Sequence, residues 1–295
     1  MVLPRNILET KLRNMLAEDV GQGDITTALV IPADSMAAAE VVAKESGVIA
    51  GMEEAIILLE NLGLKVENSV SDGEEVKAKN VLMRISGDAR AILSVERTLL
   101  NIISRMSGIA TSTRKLVEII RKAKLKTKVA CTRKVPPGLL YFDKKAVSLG
   151  DGDTHRLHLD DMILIKDNHI AVVGSVQEAV KTVRKNASFS KKIEVEVTRV
   201  KDVLSAAKAG ADIIMLDNFS TKQIENAVKL LKKEHVYGTV LLEASGGITT
   251  ENILAYASTG VDIVSLGEIT ASAKALDISL EITRTRQNRK LKPSL

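Results

Sequence analysis

From residue 107 onward the chain alternates six short apolar runs with segments of helical periodicity. The runs are 128–131, 162–165, 193–197, 213–216, 239–242 and 261–266, and the helical segments between them are 138–149, 175–187, 199–209, 221–235 and 249–259. A strand that is apolar throughout needs cover on both faces, and a parallel neighbour needs a crossover long enough for a helix. The alternation therefore predicts βα units on a parallel sheet. Six strands fall short of the eight of a closed barrel. The expected fold class is α/β, with an incomplete barrel of six to seven strands over 108–274.

Residues 1–107 have a different texture. Leu8, Leu12, Met15 and Leu16 mark a helix over 7–20, followed by a polar loop, GQGDITT. Short β-like pieces at 40–43, 48–50 and 81–85 flank a helix near 52–62, which predicts a small α+β domain. A strong helix over 89–106 carries Ile92, Val95, Leu99, Ile102 and Met106 on one face, with Arg97, Asn101 and Arg105 on another. After 275, Leu276, Ile278, Leu280 and Ile282 alternate with polar residues, so segment 275–295 predicts a half-buried strand returning to the N-terminal domain.

Composition narrows the function. Aromatics are 2% and Trp is absent, which argues against base-stacking platforms and hence against nucleic acid. A net charge of +5 permits anionic partners. The single cysteine, Cys131, lies in an apolar run and reads as a small buried residue, with no disulfide framework. No window is apolar enough to span a membrane, so a cytoplasmic protein is expected.

Parallel barrels place their sites at the C-terminal ends of the strands. Here those ends read Thr132-Arg133-Lys134, Lys166-Asp167-Asn168-His169, Asp217-Asn218, Glu243-Ala244-Ser245-Gly246-Gly247 and Gly267-Glu268, with Glu194 and Glu196 on the third strand. His155 and Arg156 lie between the first two. Cations beside buried strands are costly unless something anionic meets them. The set Arg133, Lys134, His155, Arg156, Lys166 and His169 thus predicts a small ligand with several negative charges. Arg133, His155 and Arg156 offer planar donors suited to carboxylates or phosphates, and Lys134 and Lys166 offer point charges suited to pyrophosphate. SGGIT, entering a helix near Thr249, and Gly267 suggest a phosphate cradle. Glu196 and Asp217 could bind sugar hydroxyls, hold Mg²⁺ or balance the cations. A zinc hydrolase is disfavoured because the four histidines lack ligand spacing. A Schiff-base aldolase using Lys166 and a non-catalytic anion-binding barrel remain open; glycosyl transfer from a phosphorylated, activated ribose fits best.

At EDVGQGDITT (18–27), SVERTLLNIISRMSGIAT (94–111), TRKVPPG (132–138), THR (154–156), LIKDNHI (164–170), EVEV (194–197), LDNF (216–219), EASGGIT (243–249) and SLGEIT (265–270) the chain resembles the quinolinate phosphoribosyltransferases. A related molybdenum-transport-associated family shares the TRK–HR segment, but the intact KDNH here favours the quinolinate family. The resemblance implies an N-terminal open α/β sandwich and an incomplete barrel. It implies transfer of phosphoribosyl from phosphoribosyl pyrophosphate to quinolinate with decarboxylation, using Mg²⁺, in a homodimer or a higher oligomer with shared active sites. By resemblance Thr132 belongs to the substrate site; Arg133, His155 and Arg156 hold the quinolinate carboxylates; and Arg97 reaches that pocket from the partner subunit. Lys134 and Lys166 face the pyrophosphate and ribose, Glu196 and Asp217 meet the ribose hydroxyls and metal, and Ser245, Gly246, Gly247 and Gly267 cradle the 5′-phosphate. Three departures stand out: LGDGDTHR replaces a glycine-rich run, Val135-Pro136 replaces a Thr-containing pair, and Ala271 stands where a histidine is usual. Asp151 and Asp153 are expected to bring negative charge near the anion pocket.

Overall fold

The computed structural model describes residues 3–67 and 69–287. Its contacts divide the chain into two compact units. One runs to Thr111 and resumes at Ala273; the other is Ser112–Ser272.

The first unit opens with α1 (Arg5–Val20), which buries Leu8 and Leu12, and α2 (Ile25–Val30). The expected GQGDITT loop is therefore shorter than the sequence suggested. Asp24 accepts the Thr27 N–H at 2.9 Å and starts a helix there, the usual work of an N-cap carboxylate. Next come β1 (Ser35–Ala43), β2 (Gly47–Val48), α3 (Met52–Asn61), β3 (Lys65–Glu67), β4 (Glu75–Val76), β5 (Val81–Asp88) and α4 (Ala89–Lys122). The helix expected over 89–106 continues for a further four turns, because nothing after Met106 breaks it. Gly108 lies inside it for a packing reason: a Cβ there would come within 2.0 Å of the Lys274 carbonyl oxygen.

The second unit runs β6 (Lys128–Cys131), α5 (Leu140–Leu149), β7 (Ile163–Ile165), α6 (Asp167–Val173), α7 (Val176–Asn186), β8 (Ile193–Val197), α8 (Val200–Ala209), β9 (Ile213–Asp217), α9 (Thr221–Lys233), β10 (Leu241–Ser245), α10 (Ile253–Ala257), β11 (Ile263–Leu266) and α11 (Glu268–Ala271). The chain then returns as β12 (Ile278–Gln287), which pairs antiparallel with β1 from Ile278 opposite Ala43. The half-buried strand read from the alternation after 275 is thus an outer strand of the first unit's sheet, in the order β12-β1-β5-β3. Residues 288–295, the end of the segment expected as that strand, lie outside the described residues.

The second unit's sheet is wholly parallel, in the order β6-β11-β10-β9-β8-β7. β6 and β7 are successive in the chain yet stand at opposite edges, so the barrel is open between them. A partial seventh lane flanks β6. The Asp153 N–H donates to the Val129 carbonyl at 2.7 Å, and the Cys131 N–H donates to the Asp153 carbonyl at 3.2 Å. The helices cover the sheet as their periodicity predicts. In α9 a Ser220–Gln223 capping box starts the helix, and Ile224, Ala227, Val228 and Leu231 bury one stripe.

Candidate active site

Strand register brings the predicted residues together. Ile165, the last residue of β7, pairs with Val195, so Lys166 emerges beside Glu196. Their Nζ and Oε1 atoms are 3.2 Å apart. On β10, Ser245 pairs with Asp217 of β9 and with Ser265 of β11, and Ser265 pairs with Ala130 just before the Thr132 turn. These ends surround a cleft of about 830 Å³, a size suited to a small ligand. Most of the predicted site residues of the second unit line it: Thr132 to Lys134, His155, Arg156, Lys166, Glu196, Asp217, Ser245 to Gly247, and Gly267.

Two expectations require correction. His169, counted among the ligand cations, does not line the cleft. Its Nδ1 accepts the Lys166 N–H at 2.9 Å and closes the turn that presents Lys166. Asp151 and Asp153 do not line the cleft either, although Asp153 stands beside it, next to the lining residue His155. Asp151 pairs with Arg114 at 3.4 Å and Arg121 at 3.1 Å, and Asp153 lies 3.4 Å from Lys128 Nζ. The parallel bridge to β6 fixes the Asp153 backbone, and its carboxylate accepts the His155 N–H at 2.9 Å. Their charge is therefore spent on holding the loop. Arg97 is exposed on α4 in the first unit and is not a lining residue.

One wall of the cleft is built from backbone. Gly246 and Gly247 have φ of +92° and +62°, left-handed conformations that favour glycine. A Cβ on Gly246 would fall 2.3 Å from Asn218 Oδ1. The helix expected from Thr249 begins only at Ile253, because the Asn252 side chain accepts the Thr249 N–H at 2.8 Å and forms a turn first. Any anion here thus meets turn amides instead of a helix N-terminus. Opposite, Gly267 lets the Lys134 stem pass, with a would-be Cβ 3.1 Å from its Cδ, and Thr270 Oγ1 donates to the Lys134 carbonyl at 2.9 Å.

Electrostatics marks this as an anion site. Arg156 is 8% exposed; burial, then the nearby Arg133 guanidinium, lowers its proton affinity. A cation held against another cation awaits negative charge. Glu196 and Asp217, both half-buried at the cleft, are the carboxylates positioned to hold a metal or a diol. Mg²⁺ typically takes one or two protein carboxylates and completes its shell with phosphate oxygens and water, and this donor set fits that pattern.

Two lining residues of the cleft, His155 and Glu243, form with Glu194 a cluster whose members the sequence named without joining them. Glu194 and Glu243 are completely buried, and each has a carboxylate oxygen 3.2 Å from His155 Nε2. The ring N–H is aligned on Glu243 Oε2, while both Glu194 oxygens lack a hydrogen-bond partner. Desolvation alone would lower the His155 pKa, but Glu194 and Glu243 outweigh it and push it up to about 10. Burial raises Glu194 as well. The Arg156 N–H approaches His155 Nδ1 at 2.8 Å, so Nδ1 keeps its lone pair and Nε2 carries the ring proton. The three donor groups lie within 4.8 Å of one another, yet a metal on Nε2 would move the ring proton to Nδ1, against the Arg156 N–H. The available sequence signal was a glutamate inside each of β8 and β10, ahead of the residues at their C-terminal ends.

The family model for the C-terminal domain of quinolinate phosphoribosyl transferase matches residues 109–281, and the N-terminal-domain model matches 24–107. A probable nicotinate-nucleotide pyrophosphorylase (carboxylating) of Methanothermobacter thermautotrophicus is 46% identical over 271 residues, 92% of this chain and 97% of its own length. The nicotinate-nucleotide pyrophosphorylase (carboxylating) of Mycobacterium leprae is 40% identical over 276 residues, 92% of this chain and 95% of its own. The structure of the nicotinate-nucleotide pyrophosphorylase from Francisella tularensis superposes with a TM-score of 0.87 at 39% identity, covering 96% of this chain and 98% of that one.

Proposed function

The chain belongs to the quinolinate phosphoribosyltransferase family, and from that membership we infer its chemistry. It is a pentosyltransferase that moves the phosphoribosyl group of phosphoribosyl pyrophosphate to quinolinate, releasing pyrophosphate and CO₂ and forming nicotinate mononucleotide for NAD biosynthesis. The observation that carries this reading is the convergence of Arg133, Lys134, Arg156 and Lys166 with Glu196, Asp217 and the Gly246–Gly247 turn in one cleft.

Each residue set then has a task. Arg133 and Arg156 orient the two carboxylates of quinolinate, and the Gly246–Gly247 amides with Ser245 receive the 5′-phosphate. Glu196 and Asp217 hold the ribose hydroxyls and the metal. Bound there, Mg²⁺ would neutralise the departing pyrophosphate charge. Lys134 and Lys166 supply fixed positive charge on that side. The C1–pyrophosphate bond breaks with its electron pair leaving on oxygen, and the pyridine nitrogen lone pair forms the new bond at C1. The ring nitrogen becomes cationic and stabilises the electron pair left on the adjacent ring carbon when its carboxylate departs as CO₂, and that carbon then takes a proton from solvent to give the product. The side chains contribute orientation and charge, with no covalent intermediate.

The reading extends to a cytoplasmic homodimer in which Arg97 of one subunit completes the partner's cleft. Arg97 is exposed and remote in sequence from the other site residues, which supports that role. Among the described residues no helix is long and apolar enough to cross a membrane. The deciding experiment measures nicotinate mononucleotide and CO₂ from quinolinate and phosphoribosyl pyrophosphate, with and without Mg²⁺. Nicotinate should be a poor acceptor, since a pocket built for two carboxylates leaves donors unpaired. Equal turnover of the two acceptors would refute the assignment; binding without turnover would favour a regulatory barrel.

A further inference from the structure

Two buried carboxylates, Glu243 lining a cleft built for anions and Glu194 on the same histidine, need a reason. Glu194 and Glu243 face the same barrel interior as the substrate site, where their charge weakens the field an anionic ligand would feel. A purely structural position would be served as well by an apolar residue, since buried ion pairs are often no more stable than well-packed hydrophobic side chains. Their geometry converges on one point. Glu243 Oε2 accepts from His155 Nε2 at 3.2 Å, and Glu194 Oε2 stands at the same distance, off the N–H line. The other ring nitrogen, Nδ1, accepts the Arg156 backbone N–H at 2.8 Å. Both nitrogens of His155 are thus engaged within the protein, although the ring lines the cleft. Its backbone is also unusual, with φ of +52°. For a residue with a Cβ that conformation is uncommon and holds only where the surroundings enforce it. Here the enforcing contacts are the Asp153 carboxylate on the His155 N–H and the Glu243 carboxylate on the ring. Arg156, the next residue, is 8% exposed, and its guanidinium makes one long hydrogen bond among the described residues, 3.4 Å to the Met162 carbonyl. Packing and the charges of Glu194 and Glu196 hold the guanidinium, and its backbone position, set through His155, decides where that side chain starts.

We propose that Glu243, backed by Glu194, is a positioning residue for acceptor recognition: it clamps His155 in its left-handed conformation and, through the Nδ1 contact, sets the Arg156 guanidinium at the cleft. The proposal rests on the quinolinate reading of that cleft. In it His155 organises the cation beside it instead of donating to the ligand. A displacement of about 1 Å at a carboxylate-binding arginine is enough to break a charge-assisted hydrogen bond.

The experiment compares Glu243→Gln, Glu243→Asp and Glu243→Leu in the full chain, measuring KM for each substrate, kcat and thermal stability. Gln keeps an oxygen that accepts the Nε2–H and should hold the quinolinate KM within a few-fold of the parent value. Asp withdraws the acceptor by one methylene and should raise that KM about tenfold, and Leu about tenfold to a hundredfold, the loss of one hydrogen bond to a charged group. The KM for phosphoribosyl pyrophosphate should stay within about twofold throughout. A quinolinate KM that is flat across Asp and Gln, or one that rises together with the other substrate's KM in step with lost stability, overturns the proposal; the Asp and Gln pair decides this even if the Leu chain does not fold. Parent enzyme that fails to turn over quinolinate at all would instead overturn the acceptor assignment, and with it this role.

Discussion

Replacing Gly246 by alanine tests whether the turn amides bind the phosphate. The added Cβ would stand 2.3 Å from Asn218 Oδ1, 2.7 Å from its Cγ and 3.1 Å from its backbone nitrogen. The Asn218 side chain can rotate away at a cost of about 0.5–1.5 kcal/mol, but its backbone is pinned by an N–H bond to the Ser245 carbonyl at 2.8 Å. Holding a non-glycine residue at φ +92° adds about 1–2 kcal/mol. The turn therefore shifts by an appreciable fraction of an ångström, for a total strain of roughly 2–3 kcal/mol. Melting temperature should fall by about 4–12 °C, at roughly 2–4 °C per kcal/mol for a domain of this size. If one amide–phosphate hydrogen bond is lost, KM for phosphoribosyl pyrophosphate rises about tenfold to a hundredfold. Initial rates with that substrate varied at saturating quinolinate, beside a thermal melt, measure both. A folded Gly246→Ala enzyme with an unchanged phosphoribosyl pyrophosphate KM would refute the idea that this turn binds phosphate.

Lys166→Ala should abolish turnover through loss of charge stabilisation; borohydride trapping of a substrate imine on Lys166 in the parent enzyme would revive the aldolase alternative. Asp151→Asn should leave the quinolinate KM within about twofold and cost under about 1 kcal/mol, because its ion pairs are partly exposed and face away from the cleft; a larger KM change would show that this loop does shape acceptor choice. Arg97→Ala and Arg133→Ala should each be nearly inactive, yet regain activity when co-expressed, since some heterodimers then carry one intact site. Verified heterodimers without recovery would confine Arg97 to its own chain. Stability should also depend on pH through the His155–Glu194–Glu243 cluster. Its proton is held up to about 10, against 6.5 for a free imidazole, so the folded chain binds more protons than the unfolded one between those values. That contribution is complete below pH 6.5 and is lost as pH rises through about 10. Melting curves across this window should be flatter in His155→Gln, and identical slopes would exclude the cluster as the source.

The sequence by itself determined the parallel α/β class and the count of six strands, because apolar runs such as IEVEV and IIML declare themselves without knowledge of their neighbours. It also determined most of the cleft. Parallel strands deliver their C-terminal ends to one side, so charged and glycine-rich residues after each run had to meet there. The returning strand was legible for the same reason, as the alternation from Leu276 to Ile282 shows, although its partner β1 was not. Helix ends were less legible: α4 runs on to Lys122 past Gly108, whose place is set by the distant Lys274, and α10 begins only at Ile253, where the Asn252 side chain forms a local turn that the apolar spacing does not record. Only the tertiary structure could separate His169 from His155. Both are histidines near a strand end, and one closes a local turn while the other reaches into the barrel. The same holds for Asp151 and Asp153, whose charge reads as a threat to an anion pocket until Arg114, Arg121 and Lys128 are seen to meet it. Glu194 and Glu243 show the limit most clearly. They are 49 positions apart on strands that are not neighbours, and only closure of the sheet around His155 brings their carboxylates onto one nitrogen. Local periodicity records what each segment buries, while long-range register decides which buried groups share a proton.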